Sequence, residues 1–312
     1  MTGGTCMSRR ATRYRCRAVI SALAVAATAA TMLAAGGAGA YPAGSRPGAG
    51  LVRAVGFAAR RSARTFWTRS RMAAATPAAA DSKGGASARA PRGIPSPTRF
   101  DGVPTVGALF YTTGTAKHFC TASVVDSDAR DLILTAAHCV YTGSYAGNIE
   151  FVPGYHDGLQ PYGAWVVKTI YVAAGWARSR DPDLDFAFLS VAPADGAGLP
   201  IQQLTGGLRL GINRPYRRPV EVIGYNNTGR RPIKCATHSF EFEPGQLELY
   251  CDDYRAGTSG GPWIVRYDGR NGSGLVIGVI GGYEQGGDYA WASYSAYLGR
   301  PALDLYRQAE GH

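Results

Sequence analysis

Short runs of β-branched, aromatic and aliphatic residues recur between residues 100 and 299, with Gly, Pro, Asn and Asp between them. Such runs predict about a dozen short strands, and strands separated by turns in this way favour an all-β sandwich or barrel. The run PALDLYRQA near the end differs, because Pro301 suits a first helical turn and predicts a C-terminal helix. The strand candidates are TVGALFY, FCTASVV, LILTAA, IEFV, AWVVKTIYV, DFAFLSV, VEVIGY, LELYC, PWIV, LVIGVIGG and AWASYSAYL.

The formal net charge of +11 is distributed unevenly along the 312 residues. Residues 1–94 hold 15 Lys and Arg against one acidic residue, Asp81, which is a net charge of +14. Residues 95–312 hold 18 basic and 21 acidic residues, a net charge of −3. The globular part therefore has no excess positive field that would attract phosphate, and we expect no nucleic-acid partner.

The N-terminus has the pattern of an export signal. Arginines between residues 9 and 17 precede an uncharged run rich in Ala, Val and Leu over residues 18–35. The small residues Ala38-Gly39-Ala40 then form a typical cleavage signature. We predict a signal peptide over residues 1–40, secretion, and no stable membrane association once it is removed. A retained membrane anchor is the alternative interpretation.

The next segment, residues 41–95, is rich in Ala, Gly, Arg, Ser and Pro and has few large apolar residues. Its composition predicts either a disordered linker or a removed pro-segment. The globular domain is then predicted to span residues 96–312.

Four cysteines follow the predicted signal peptide, and an even number in a secreted chain predicts two disulfides. Four cysteines allow three pairings, among which the sequence does not choose. The hairpin flanked by the last two, 16 positions apart, favours a bond between them. No CxxC or HxxxH spacing is present, and we expect no metal ion and no cofactor. The four are Cys120, Cys139, Cys235 and Cys251.

Three segments contain the residue types of a nucleophilic triad. His138 follows an apolar strand in LILTAAHCV, Asp185 begins one in DPDLDFAFL, and Ser259 lies among glycines in GTSGGPW. A serine hydroxyl is a poor nucleophile alone, so an imidazole must take its proton and a carboxylate must orient the imidazole. The glycines allow close approach of backbone N–H donors to an oxyanion, and we expect Gly257 and Ser259 to supply them.

The motifs TAAHC, DFAFL and GTSGGPW resemble the catalytic motifs of chymotrypsin-like, trypsin-fold serine peptidases, over residues 100–309. The resemblance is closer to the bacterial secreted type, near the glutamyl endopeptidases. It implies an all-β fold of two six-stranded antiparallel barrels with the catalytic cleft between them. It also implies His138 as base, Asp185 as orienting acid and Ser259 as nucleophile, and a disulfide between Cys120 and Cys139.

Two departures from this family concern activation. Trypsin itself has an aspartate directly before the nucleophile, where this chain has Thr258, and its IVGG start is missing near Phe100. An ion pair between that aspartate and a new N-terminal amine cannot form here.

Side-chain preference is left open by the sequence. Asp253 lies six residues before Ser259 and would favour Lys or Arg, whereas Arg255 or His238 would favour an acidic side chain. The backbone of Gly281, Gly282 and Tyr283 is predicted to pair with the substrate backbone, a contact that is largely independent of sequence.

The predicted function is a secreted, monomeric serine endopeptidase with protein or peptide substrates. Two alternatives keep the same fold: a catalytically idle binding protein, and an esterase that uses the same triad. The motif GTSGG also fits the nucleophile elbow of α/β-hydrolases. That fold requires the order serine, acid, histidine, whereas His138 and Asp185 precede Ser259 here.

Overall fold

The computed structural model describes residues 50–77, 89–196, 198–227 and 230–311. The predicted signal peptide lies outside these residues, and so do parts of the predicted linker or pro-segment. The strands are β1 Leu51–Ala54, β2 Thr98–Arg99, β3 Val106–Thr113, β4 Ala116–Val125, β5 Leu132–Thr135, β6 Gly147–Pro153, β7 Trp165–Val172, β8 Ala187–Pro193, β9 Arg209–Leu210, β10 Arg218–Tyr225, β11 Pro232–Glu243, β12 Gln246–Tyr250, β13 Pro262–Asp268, β14 Ser273–Val279 and β15 Ala292–Ala296. The helices are α1 Phe57–Phe66, α2 Arg69–Ala73, α3 Ala174–Ser179, α4 Ile201–Thr205 and α5 Arg300–Glu310.

The first sheet closes into a six-stranded antiparallel barrel. Its strand order is β7-β6-β3-β4-β5-β8, and β8 pairs back with β7. The inward side chains include Leu109, Phe151 and Leu189, all fully buried. Because every strand edge in a closed barrel is paired over part of its length, few edges are left where an additional strand can add.

The second sheet runs β15-β12-β11-β10-β13-β14 with antiparallel pairing throughout. It curls until Gly281 N–H, just past β14, donates to the carbonyl oxygen of Tyr294 on β15 at 3.0 Å. The short strands β2 and β9 add to the margins of this sheet. The predicted architecture, two antiparallel barrels and a C-terminal helix, is confirmed.

A third set of buried residues joins strands of both sheets and the C-terminal helix. Phe186 and Phe188 from the first barrel and Ile223 and Ile264 from the second belong to it, and each is fully buried. Leu305 of α5 packs into the same cluster. This shared core fixes the two barrels against each other, so residues at the ends of their strands can form one site.

Residues 50–77 form regular structure on the outside of the first barrel. Strand β1 pairs antiparallel with β7, and α1 and α2 follow it. Trp67 is 6 % exposed and its indole N–H donates to the carbonyl oxygen of Asn148 at 2.5 Å. This part of residues 41–95 has regular secondary structure, and the linker and pro-segment interpretations of the whole segment stay predictions.

None of the helices in the described residues has the length and apolar character needed to cross a bilayer. The C-terminal helix α5 buries Ala302, Leu305 and Ala309 instead, one face of an amphipathic helix turned toward the protein core.

Candidate active site

His138 lies in a short 3₁₀ turn, Ala137–Cys139, directly after β5. The disulfide between Cys120 and Cys139 ties this turn to β4, so the backbone next to the histidine is covalently fixed. The residue is only 4 % exposed. Its place in the fold is thus set by one strand end and one cross-link.

Asp185 is fully buried at the start of β8 and makes three contacts through its carboxylate. Oδ2 lies 2.7 Å from His138 Nδ1, and Oδ1 accepts a hydrogen bond from the His138 backbone N–H at 2.9 Å. Gly282 N–H of the second barrel also donates to Oδ2, at 2.9 Å. Because an ionised carboxylate only accepts, Nδ1 of the imidazole carries its proton and Nε2 is the basic nitrogen.

The loop that carries Ser259 packs against β4 and the end of β5. Thr121 N–H donates to the Ser259 carbonyl oxygen at 2.7 Å, and the Thr121 hydroxyl donates to the Gly257 carbonyl oxygen at 3.0 Å. A Cβ on Gly260 would lie 2.1 Å from the Thr121 carbonyl oxygen and 3.1 Å from the Ala136 backbone nitrogen. The loop that carries Ser259 therefore packs against the backbone at Ala136, two residues before His138.

Gly257 has a φ of +95°, a conformation that glycine adopts without steric cost. A Cβ there would also lie 2.4 Å from Cε2 of Phe119. Both constraints require a glycine at the position where the sequence predicts an oxyanion donor. Its N–H and that of Ser259 remain the predicted pair.

Thr258 is buried, and its hydroxyl donates to the carbonyl oxygen of Arg255 at 2.8 Å within the same loop. The residue that replaces the trypsin aspartate thus closes a local turn. This contact stabilises the loop without any charged partner.

All three of the predicted substrate-pairing N–H groups already donate within the protein. Gly282 N–H is bonded to Asp185, and Tyr283 N–H donates to Oε1 of Gln246 at 3.0 Å. Gly281 N–H donates to Tyr294, as described for the sheet. Any pairing of a substrate strand with Gly281, Gly282 and Tyr283 must therefore use other backbone atoms.

The two residues proposed to select the substrate side chain neutralise each other. Arg255 Nε donates to Oδ1 of Asp253 at 2.6 Å, and both side chains are about half exposed. Asn226 holds the loop, since its Nδ2 donates to the Asp253 carbonyl oxygen and its Oδ1 accepts from Arg255 N–H. His238 lies on a different surface, in a cavity on β10, β11 and β13 that none of His138, Asp185 and Ser259 lines.

Sequence reasoning missed three polar residues that organise this site: Thr121, Asn226 and Gln246. Each acts on backbone groups of distant segments, Thr121 on residues 138 positions later in the chain. No local pattern in the sequence marks such contacts. Asn226 belongs to an NNT triplet that by itself indicates only a turn.

Potential metal-ligating atoms cluster once in the described residues, at Cys120, His138 and Cys139, within 4.8 Å of one another. The two sulfur atoms form a disulfide with each other. A disulfide offers no thiolate, which is the form of cysteine that binds metal ions. This group therefore does not have the donor set of a zinc site.

Residues 120–279 match the family model of the trypsin-like peptidase domain. The chain belongs to this family. Membership in this family means that the chain is a hydrolase of the serine protease class with protein substrates, as the resemblance implied. A search of the curated proteins finds no match.

Solved structures of bacterial and related proteases share the fold. The protease Anisep from Arthrobacter nicotinovorans is 25 % identical, with a TM-score of 0.62 over 69 % of this chain and 100 % of that chain. The thermostable serine protease AL20 from an extremophilic microorganism is also 25 % identical, with a TM-score of 0.60 over 67 % and 97 %. A Glu endopeptidase at 18 % identity, TM-score 0.56 and coverage of 70 % and 99 % shows the fold alone.

Proposed function

We propose that this protein is a secreted serine endopeptidase with His138, Asp185 and Ser259 as its catalytic residues. The contact of 2.7 Å between His138 Nδ1 and Asp185 Oδ2, in a fully buried pair, is the observation that carries the proposal. It orients the imidazole with its basic nitrogen available for a serine proton, which is the arrangement that acyl transfer requires.

In this mechanism Ser259 Oγ attacks the carbonyl carbon of the scissile peptide bond while His138 Nε2 takes the hydroxyl proton. The oxyanion that forms accepts hydrogen bonds from the N–H groups of Gly257 and Ser259. When the C–N bond breaks, His138 returns the proton to the leaving amine and an acyl-enzyme ester remains. A water molecule then attacks the acyl-enzyme ester while His138 Nε2 takes its proton. His138 returns the proton to Ser259 Oγ, and the acid product is released.

The residues argue against the first of the two alternatives with the same fold, the idle binding protein, and are shared with the second, the esterase. An idle binding protein has no need for a carboxylate held by three hydrogen-bond contacts against an imidazole. An esterase uses the same triad, and ester turnover alone does not separate it from a peptidase.

Both disulfides, Cys120–Cys139 and Cys235–Cys251, suit an oxidising extracellular compartment and support secretion.

The side-chain preference follows from the ion pair between Asp253 and Arg255. Because the two charges compensate each other, this loop presents neither an isolated carboxylate nor an isolated guanidinium to a substrate. We therefore propose that it imposes no strong selection for Lys, Arg or Glu at the cleaved bond.

A fluorophosphonate probe tests the triad directly. Ser259 is expected to be labelled in the parent protein, and labelling is expected to be lost in Ser259→Ala and strongly reduced in His138→Ala. His156→Ala is the matched control, because His156 lies on another loop, where its imidazole contacts the Gly154 carbonyl oxygen and its backbone pairs with Leu159. Incubation of the unlabelled parent protein with a peptide library then measures peptide-bond hydrolysis. Turnover of esters without cleavage of any peptide would contradict the endopeptidase.

A further inference from the structure

The segment over residues 50–77 covers an apolar patch on the outside of the first barrel. Trp67, Met72 and Ala75 are buried there together with Phe110, Val152 and Tyr155. The ring centroids of Trp67 and Phe110 are 5.3 Å apart. Burial of an aromatic side chain of this size is a main source of docking energy, so Trp67 is the anchor of the segment.

Charge favours the same docking. Residues 50–77 contain six arginines and no acidic residue, whereas residues 95–312 have a net charge of −3. A basic segment on a slightly acidic domain is attracted at long range. The segment is thus complementary to the barrel both in its apolar anchor and in its charge.

The segment ends in a backbone contact with β4. Thr76 N–H donates to the Lys117 carbonyl oxygen, and Phe119 N–H donates to the Thr76 carbonyl oxygen, both at 3.1 Å. This part of β4 pairs with β3 on its other edge, and β5 joins only at Ser123. Thr76 therefore occupies an edge of β4 that the barrel itself leaves open.

The same edge of β4 also bonds to the loop that carries Ser259. Phe119 N–H bonds to Thr76, and Thr121 N–H, two residues along, bonds to the Ser259 carbonyl oxygen at 2.7 Å. Two residues along a strand correspond to about 6.8 Å. The Phe119 ring also lies against Gly257, the predicted oxyanion donor. Thr76 and the Ser259 carbonyl oxygen therefore bond to the same edge of β4 at N–H groups two residues apart.

A polypeptide substrate must extend from the nucleophile in both directions. The predicted pairing strand, Gly281 to Tyr283, is expected to bind the residues before the scissile bond from the second barrel. The residues after the scissile bond would then bind on the side of the first barrel, to which the β4 edge belongs. An extended chain binds such an edge through its backbone, and Thr76 already makes those bonds.

We infer that residues 50–77 act as an intramolecular blocker of the leaving-group side of the cleft, with Thr76 in the place of a substrate residue. The inference rests on the proposed function. Small substrates that end at the scissile bond react normally with the full chain, whereas peptides that continue past it compete with Thr76 and are cleaved slowly. Release of the segment, anchored at Trp67, turns the protein into a peptidase for long chains.

The test compares two substrates of the full chain with the same acyl side, one ending in a p-nitroanilide and one continuing for four residues. Thr76→Pro removes the N–H that bonds to Lys117 and is expected to raise kcat/KM for the extended peptide about tenfold. The p-nitroanilide is expected to change by less than about twofold. Thr76→Ala keeps the backbone N–H and is the matched control, with both values as in the parent.

A second pair of variants acts away from the cleft. Trp67→Ala is expected to raise cleavage of the extended peptide in the same way and to speed hydrogen exchange at the Phe119 amide. Phe57→Ala is its control, because Phe57 of the same segment is 73 % exposed. Thermal unfolding of each variant establishes that the barrels remain folded.

The outcomes separate the two proposals. One outcome is that the probe labels the parent, Thr76→Pro and Trp67→Ala, and that all three proteins give the same ratio of the two kcat/KM values. This result overturns the blocker and leaves the triad intact. An increase for both substrates alike also overturns it, since the segment would then act on the catalytic residues. Absence of labelling in the parent and in every variant overturns the proposed function and the blocker with it.

Discussion

Two of the buried carboxylates of the first barrel, Asp185 and Glu150, have surroundings that differ completely. Asp185, at the strand end that faces the second barrel, accepts from two backbone N–H groups and lies against the His138 imidazole. Glu150, on the outer face of β6, is 2 % exposed, and burial raises its pKa to about 8. Its strand partner Phe110 contacts Trp67, so Glu150 lies on the face that the N-terminal segment covers.

The difference shows what a buried charge requires. Backbone donors and an imidazole stabilise an ionised carboxylate, whereas an apolar cover without such donors favours the protonated form. Only the first kind of site can orient a catalytic base. The second kind makes the packing of the covered face sensitive to pH.

Asp185→Asn has the largest expected effect and tests the first half of the comparison. An amide in place of the carboxylate no longer fixes the Nδ1–H tautomer, and kcat is expected to fall by roughly 10³–10⁴-fold, as in triads generally. Steady-state kinetics with a peptide substrate measures it. Glu150→Gln, an equally buried carboxylate-to-amide change, is the control and should stay within about twofold of the parent; similar losses in both variants would contradict the assignment.

Glu150→Gln has an intermediate effect, on stability. A carboxyl whose pKa is raised on folding, from 4.5 to about 8, stabilises fully below pH 4.5, and that contribution is lost as pH rises through about 8. The parent is therefore expected to lose up to about 1.4 kcal/mol of unfolding free energy per pH unit in this window. The variant should lack this slope and be more stable by roughly 2–4 kcal/mol at pH 9. Urea denaturation at pH 4, 6 and 9 measures it, and parallel pH curves for the two proteins would show that Glu150 is not the cause.

Asp253→Asn has the smallest expected effect. It extends the comparison of the two buried carboxylates to an exposed one. Asp253 is half exposed and paired with Arg255, and exposed pairs of this kind contribute little. We expect kcat/KM for substrates with Lys or Arg at the cleaved bond to fall by less than about threefold. Arg255→Gln serves as the reciprocal variant. A loss above about tenfold, confined to basic substrates, would instead identify Asp253 as the base of a charged pocket.

The candidate site could be predicted largely from short segments. His138, Asp185 and Ser259 each lie in a stretch whose neighbours already restrict the backbone, such as the glycines around the serine. The cysteines follow the same logic, because a hairpin brings Cys235 and Cys251 together through local geometry. Where one segment alone sets a conformation, its sequence is sufficient.

The N-terminal segment shows what composition alone does not contain. Its Ala- and Arg-rich composition is typical of disorder, and Trp67 and Met72 are among its few large apolar residues. They are buried because Phe110, Val152 and Tyr155 from separate strands form a matching patch. The value of an apolar side chain depends on the surface that it meets, which no local window contains.

By itself the sequence determined the strand-rich fold class, the three reactive residue types in their order, and the composition that separates the N-terminal region from the rest. Only the tertiary structure decided that Arg255 compensates the charge of Asp253, that Thr121 holds the loop of Ser259, and that Thr76 bonds to the same edge of β4 as this loop. The physical reason is that these depend on distances between residues far apart in the chain. Such distances are fixed only when both barrels close around a shared core.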